Sequence, residues 1–426
     1  LSSVSRQQKY HIKMKQYILV LFGSLVFNGA RFLYDLVILN SMDIEDYKIY
    51  GLLSLLAVYL NHLHFGLANG VAIVSAQCKG RSSNICRLLS VTRSLVGFIT
   101  VGLVTLAMIP VSFFIDSDIL LGLWMLAATM FIFNFSVGLA KMDMAFQNAA
   151  IIQILSGVVF ICGAIAFYSK GSLYPVIFLT ASAFTLPLLL VSHKFLSGKI
   201  QFYLRNIRAT KIFLLRSLRL GWPVMALGFC YTILTTVDRL LINFYYSAAD
   251  FRMYSLACLV LAFGHLVISV VSSINYPKLT SLYLSKNKKG AAAFYFLQFK
   301  NSLRIGCMLA LFVGIATVIF GRHFMDATAI NVIYVGCLGL PGISGINAVT
   351  LAYNTAGKQL ILVKRSSVAI VLYLLSLSAL SFNAVGLILY AAFSAFFYVA
   401  FALLIYRFSK VDLAKSLNFF GANRID

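Results

Sequence analysis

Apolar runs long enough to cross a bilayer alternate with short polar stretches along the whole chain. They fall at 17–40, 50–76, 95–115, 119–140, 149–168 and 174–191, and then at 220–244, 254–275, 305–321, 330–356, 366–380 and 385–406. A span needs about 20 mostly apolar residues. The pattern therefore predicts an all-α polytopic membrane protein of about 12 transmembrane helices, six in each half. Pro341 and Gly342 predict a kink or break in the tenth. The first run holds Arg31 and Asp35 and lacks a small-residue cleavage site, so it is expected to stay as a membrane helix. A start at Leu1 fits either a truncated chain or initiation at a non-ATG codon.

The two halves repeat one another. Asp46-Tyr47-Lys48-Ile49-Tyr50-Gly51-Leu52 matches Asp250-Phe251-Arg252-Met253-Tyr254-Ser255-Leu256 at an offset of 204. Just upstream, Asp35-Leu36-Val37-Ile38-Leu39-Asn40 matches Asp238-Arg239-Leu240-Leu241-Ile242-Asn243 at an offset of 203. Ala145-Phe146-Gln147 matches Ala352-Tyr353-Asn354 more loosely, at 207. An even number of spans per copy makes the repeats parallel, related by an axis along the membrane normal. The expected division is an N-terminal lobe at 1–200, an amphipathic basic linker at 201–219 and a C-terminal lobe at 220–426. The linker reads either as a helix in the headgroup region or as a solvated basic loop.

Composition agrees with the pattern: 61% of residues are hydrophobic and 11% charged, with a mean hydropathy of +0.91. The net charge of +23 would suggest nucleic acid in a soluble protein, but its placement shows topology instead. Of the 35 Lys and Arg, 29 fall in one alternate set of loops that includes both termini. The opposite loops hold only Lys48, Lys170, Arg252 and Arg322, and two arginines lie within helices. That asymmetry predicts cytoplasmic termini and contact with anionic lipid, with no nucleic-acid role. The seven cysteines form no metal-type cluster and read as reduced. With no Walker loop, GxSxG, HExxH or CxxC, and no room for an external domain, the chain does not read as an enzyme and implies no cofactor or metal.

Ionisable residues inside apolar helices are the candidates for function, because each costs several kcal/mol in hydrocarbon. Arg31 and Asp35 are four apart and share a helix face. They read either as a cavity-lining pair that meets an anion or a coupling ion, or as a structural pair near the outer end of the helix. Asp238 is the repeat equivalent of Asp35. Arg239 follows it and points about 100° away, so each needs its own partner. Asn61, His62 and His64 lie on the second span, and His265 aligns with Asn61 on the eighth. Histidine can bind sugar hydroxyls or phosphate, or titrate near neutral pH; an ordinary buried, hydrogen-bonded histidine is the other reading. Lys141 sits at the cytoplasmic mouth of the fourth span.

The repeated element resembles a signature of the Wzx-type polysaccharide flippases, members of the multidrug/oligosaccharidyl-lipid/polysaccharide exporter superfamily. The resemblance rests on Asp35 through Leu52 and Phe65-Gly66-Leu67-Ala68-Asn69-Gly70. It continues at Val237 through Ile242, Asp250 through Tyr254, Tyr276-Pro277-Lys278-Leu279 and Asn354-Thr355-Ala356-Gly357-Lys358. Lys48 and Arg252 depart from it, since that family often has Gly there. The resemblance implies a carrier that moves an undecaprenyl-pyrophosphate-linked oligosaccharide across the bacterial inner membrane by alternating access, in O-antigen and lipopolysaccharide biosynthesis. It implies that Arg31, Arg239 and Lys141 meet the pyrophosphate, and that Asn61, His62, His64 and His265 meet sugar hydroxyls. Asp35 and Asp238 would bind a coupling H+ or Na+. A polysaccharide polymerase and chain-length machinery would be partners. A cation-coupled drug antiporter of the same superfamily is the alternative.

Overall fold

A computed structural model describes residues 2–77, 83–113, 116–142, 146–191, 207–262, 288–321, 327–383 and 385–422, together with Gly264 and Ile268. The described chain is nearly all helix, with one isolated bridge between Met42 and Gly171. It is an all-α polytopic protein, consistent with about 12 membrane helices in two lobes.

The chain packs as two units, Leu1–Phe229 and Cys230–Asp426. The first contains α1 (Ser2–Ser41), α2 (Ile44–Leu60), α3 (Leu67–Gln77), α4 (Ser83–Val111), α5 (Ser117–Met142), α6 (Phe146–Ala166) and α7 (Leu173–Val191). The division falls inside α8 (Ile207–Tyr245). The second unit continues with α9 (residues 248–262), α10 (Lys288–Ala316), α11 (Ala327–Cys337), α12 (Leu340–Thr355), α13 (Gln359–Phe382) and α14 (Leu387–Ala422). Residues 207–219 of the expected basic linker form the opening turns of α8, continuous with the apolar span.

Seven described helices are long and apolar enough to span, and the bent pair α11–α12 makes an eighth. That pair turns by 41°. The break falls at Leu338–Gly339, just before Pro341, which sits in the first turn of α12. Proline is tolerated there because the first-turn N–H has no partner within the helix.

The second predicted span, 50–76, is not one helix. It divides into α2, a 3₁₀ turn at Asn61–His64 and α3. Phe65 (φ 48°) and Gly66 (φ 88°) both take left-handed backbone conformations. The turn closes through Phe65 N–H to the His62 carbonyl at 3.2 Å, and α3 restarts with Gly70 N–H to the Gly66 carbonyl at 2.8 Å. Apolar periodicity shows no such break, because the residues on both sides remain apolar.

Within the first unit this break lies directly on α8. A side chain at Gly66 would strike the Gly221–Trp222 backbone, and one at Gly70 would strike the Ser217 carbonyl. Small residues on both helices let the two backbones touch. Elsewhere in this unit α1 packs along α6, and α5 packs between α2 and α7. In the second unit α10 packs on α12, and α14 packs on both α11 and α12.

Candidate functional site

In the first unit, Arg31 and Asp35 meet as the i,i+4 spacing requires, with Nε 3.7 Å from Oδ2. Their side chains keep 34% and 26% of their exposure. The Arg31 guanidinium also lies over the Phe184 ring, 5.6 Å from its centroid. The neighbouring space is filled with rings. Phe27 stacks on Phe133 at 4.9 Å, Phe133 meets Phe184 at 5.2 Å, and Tyr34 meets Phe160 at 5.2 Å. The Tyr34 hydroxyl donates to the Val176 carbonyl at 3.1 Å. It also lies 3.1 Å from the Thr180 hydroxyl, which the Tyr50 hydroxyl approaches at 3.4 Å.

The polar cluster at the α2–α3 break is tied into the backbone. Asn61 Nδ2 donates to the Ala57 carbonyl at 2.8 Å. His64 is 8% exposed, and its Nδ1 accepts the Gly66 N–H at 2.9 Å. This bond fixes the tautomer, with the proton on Nε2, the ring atom left for any other partner. His62 meets the Phe229 ring edge-on at 5.4 Å.

The second unit holds a different arrangement around the equivalent acid. Asp238 is 5% exposed. Its Oδ1 accepts the Arg239 N–H at 2.8 Å, and its Oδ2 accepts the Tyr254 hydroxyl at 2.7 Å. An ionised carboxylate has about four lone-pair sites, so these two bonds leave acceptor capacity. Beside it is a cavity of about 170 Å³ lined by Asp238, Arg239, Tyr254, Ser394 and Tyr398 on its polar side. Ala257, Ala262, Gly336, Ala391 and Ala395 line much of the remainder. The Tyr398 hydroxyl donates to the Leu234 carbonyl at 2.6 Å, and the Tyr373 hydroxyl to Ser394 at 3.0 Å.

The structure thus places Asp238 and Arg239 on one cavity, and Arg31 and Asp35 together in the other unit. The side chain of Lys141, the whole of His265, and Tyr276 through Leu279 lie outside the described residues. The residues missed by reading the sequence are Tyr254, Ser394 and Tyr398. Tyr254 carried a signal, because it closes the repeated element and matches Tyr50. Ser394 and Tyr398 gave none, being polar atoms in an otherwise apolar span. Among the described residues no group of three or more His, Cys, Asp or Glu is placed to hold a metal.

No protein-family model matches the chain, and no curated protein sequence matches it. Solved structures do. It is similar to the inward-facing conformation of a multidrug resistance MATE family transporter of the MOP superfamily. The TM-score is 0.74 and the identity 14%, over 95% of this chain and 100% of that one. The outward-facing conformation of a multidrug resistance MATE family transporter matches with a TM-score of 0.66 and 12% identity, over 95% and 96%. A MOP superfamily transporter from Pyrococcus furiosus, described as having a binding pocket of reverse polarity that suggests a different function, matches with a TM-score of 0.63. Its identity is 12%, over 95% and 96%. At these identities the likeness shows a shared fold.

Proposed function

We propose that this chain is a flippase that carries a lipid-linked oligosaccharide on a polyprenyl pyrophosphate across the bacterial inner membrane by alternating access. One observation supports the reading: each half places an acid in an apolar helix at the same point of the repeat, Asp35 and Asp238, with an arginine near it in sequence, Arg31 four residues before the first and Arg239 one after the second. A pyrophosphate-sugar headgroup cannot cross hydrocarbon unaided. Intramembrane cations give it a counter-charge, and acids beside them keep those cations neutralised when the carrier is empty. Arg31, Arg239 and Lys141 are the proposed pyrophosphate contacts. Asn61, His62, His64 and His265 are proposed for sugar hydroxyls, and Asp35 and Asp238 for a coupling H+ or Na+. Anionic lipids, a polysaccharide polymerase and chain-length machinery are the proposed partners. On this reading the chain catalyses no covalent step.

The likeness to multidrug MATE structures favours a second reading, a cation-coupled drug antiporter. The two separate in one experiment. Deletion of the gene in its host, followed by surface-glycan analysis, should show loss of polysaccharide and accumulation of its lipid-linked precursor. Unchanged glycan with a gain of drug sensitivity would replace the flippase by the antiporter.

A further inference from the structure

The cavity of the second unit exists because the repeat has been emptied of rings there. The offset of 203 places Cys230 and Val237 where the first unit has Phe27 and Tyr34. The helix starts Phe146 and Gln359, and Leu173 and Leu387, give offsets of 213 and 214. They place Tyr373 opposite Phe160 and Tyr398 opposite Phe184. Two large side chains have become smaller, and two phenyl rings have gained hydroxyls. The first unit packs this region with aromatic rings. The second leaves about 170 Å³.

The polar wall has a definite hydrogen-bonding sense. Tyr254 and Tyr398 donate their protons to Asp238 and to the Leu234 carbonyl. Thr235 donates to the Tyr231 carbonyl at 3.0 Å. What these three hydroxyls have left is lone pairs, and Asp238 has acceptor capacity remaining. Two groups can donate. Ser394 accepts from Tyr373 and so keeps its own proton, and Arg239 carries only donors. A cation would sit against a guanidinium here. An anion would meet a carboxylate and three oxygen lone pairs. A neutral ligand with several hydroxyls satisfies both sets. In size, a cavity of about 150 Å³ holds one benzene ring, so this one holds one six-membered ring. The alanine and glycine walls let the faces of such a ring lie close to backbone.

We propose that the cavity beside Asp238 is a subsite for one pyranose ring of the cargo; Asp238 and Arg239 then serve the sugar, in place of the coupling-ion and pyrophosphate roles given to them above, and the pyrophosphate is met by Arg31 and not by Arg239. The proposal rests on the flippase reading and adds the sugar-reading role and its residues. Asp238, Tyr254, Tyr398 and Thr235 accept from ring hydroxyls, and Ser394 and Arg239 donate to ring oxygens.

The test uses the purified full chain in nanodiscs with two probes: lipid-linked oligosaccharide extracted from the host, and bare undecaprenyl pyrophosphate. The wild-type protein should bind the glycosylated probe at least about tenfold more tightly. Ala391→Leu fills the cavity, and Ser394→Ala removes one donor with little change of shape. Both should cut the preference for the glycosylated probe to within about threefold, with affinity for the bare carrier unchanged. The retained affinity shows that the variants are folded. A preference that survives in both variants overturns the subsite and leaves the flippase reading standing. Wild-type protein that binds neither probe overturns the flippase reading, and the subsite with it.

Discussion

Tyr254 donates a 2.7 Å hydrogen bond to the Asp238 carboxylate, while its repeat partner Tyr50 lies 3.4 Å from the Thr180 hydroxyl. The same tyrosine in the same register thus serves two different ends. In the first unit the acid is neutralised by Arg31 along its own helix, and the tyrosine joins a packed aromatic region. In the second, the tyrosine hydroxyl and the Arg239 N–H both bond the acid, and the tyrosine helps border a cavity. Duplication supplied the same parts to both halves, and their polar partners have diverged.

Removing that phenol should leave a buried carboxylate short of a donor, a loss of about 1–3 kcal/mol. Tyr254→Phe is therefore expected to lower the unfolding midpoint of the detergent-purified protein. Asp238→Leu should cost much less in the Tyr254→Phe background than in the wild type, because the orphaned acceptor is then gone. Thermal scans of the two single variants and the double variant complete the cycle. Additive losses would mean that the two groups are not energetically coupled.

The backbone crossing of α3 on α8 predicts sharp intolerance. Gly70→Ala and Gly221→Ala each place a methyl inside the facing backbone, so both should reduce folded protein severely. Gly102→Ala and Gly138→Ala, in open positions of α4 and α5, should be neutral or gain up to about 1 kcal/mol of helix stability. Yields by fluorescence-detected size exclusion would check this. Equal tolerance at all four sites would refute the close crossing.

The pair Arg31–Asp35 is partly exposed, with Nε 3.7 Å from Oδ2. Such pairs contribute about 1 kcal/mol or less in a polar setting. Asp35→Asn should therefore leave folded abundance near wild type. Transport should lose its dependence on an imposed H+ or Na+ gradient, measured in proteoliposomes with lipid-linked oligosaccharide. A variant that keeps full gradient dependence removes the coupling role from Asp35.

Much of the fold could be read directly, and the reason is physical. Hydrocarbon requires long apolar runs, so span positions follow from hydropathy, and the i,i+4 spacing of Arg31 and Asp35 fixed their pairing. The break at Asn61–Gly66 could not be read this way, because it depends on two left-handed residues and a histidine bonded to the turn. Asn61, His62 and His64 do interrupt the apolar run, but polar residues inside a span do not by themselves show that the backbone turns. Tyr254 was hidden in another way. As the end of a repeat beside an external turn it read as a marker of duplication, yet its ring reaches back to α8. Ser394 and Tyr398 belong to α14, and their relation to Asp238 appears only when distant helices pack.

Orientation gives a last prediction. The chain carries 29 of its 35 Lys and Arg on one set of loops, and such residues are retained on the cytoplasmic side during insertion. Tyr168, in the α6–α7 connection, is 80% exposed and belongs to the opposite set. Lys358, between α12 and α13, belongs to the basic set. A membrane-impermeant maleimide should therefore label Tyr168→Cys in intact cells, above the parent's background. Lys358→Cys should label only after permeabilisation. Labelling in the reverse order would invert the orientation, and with it the face from which the carrier takes its cargo.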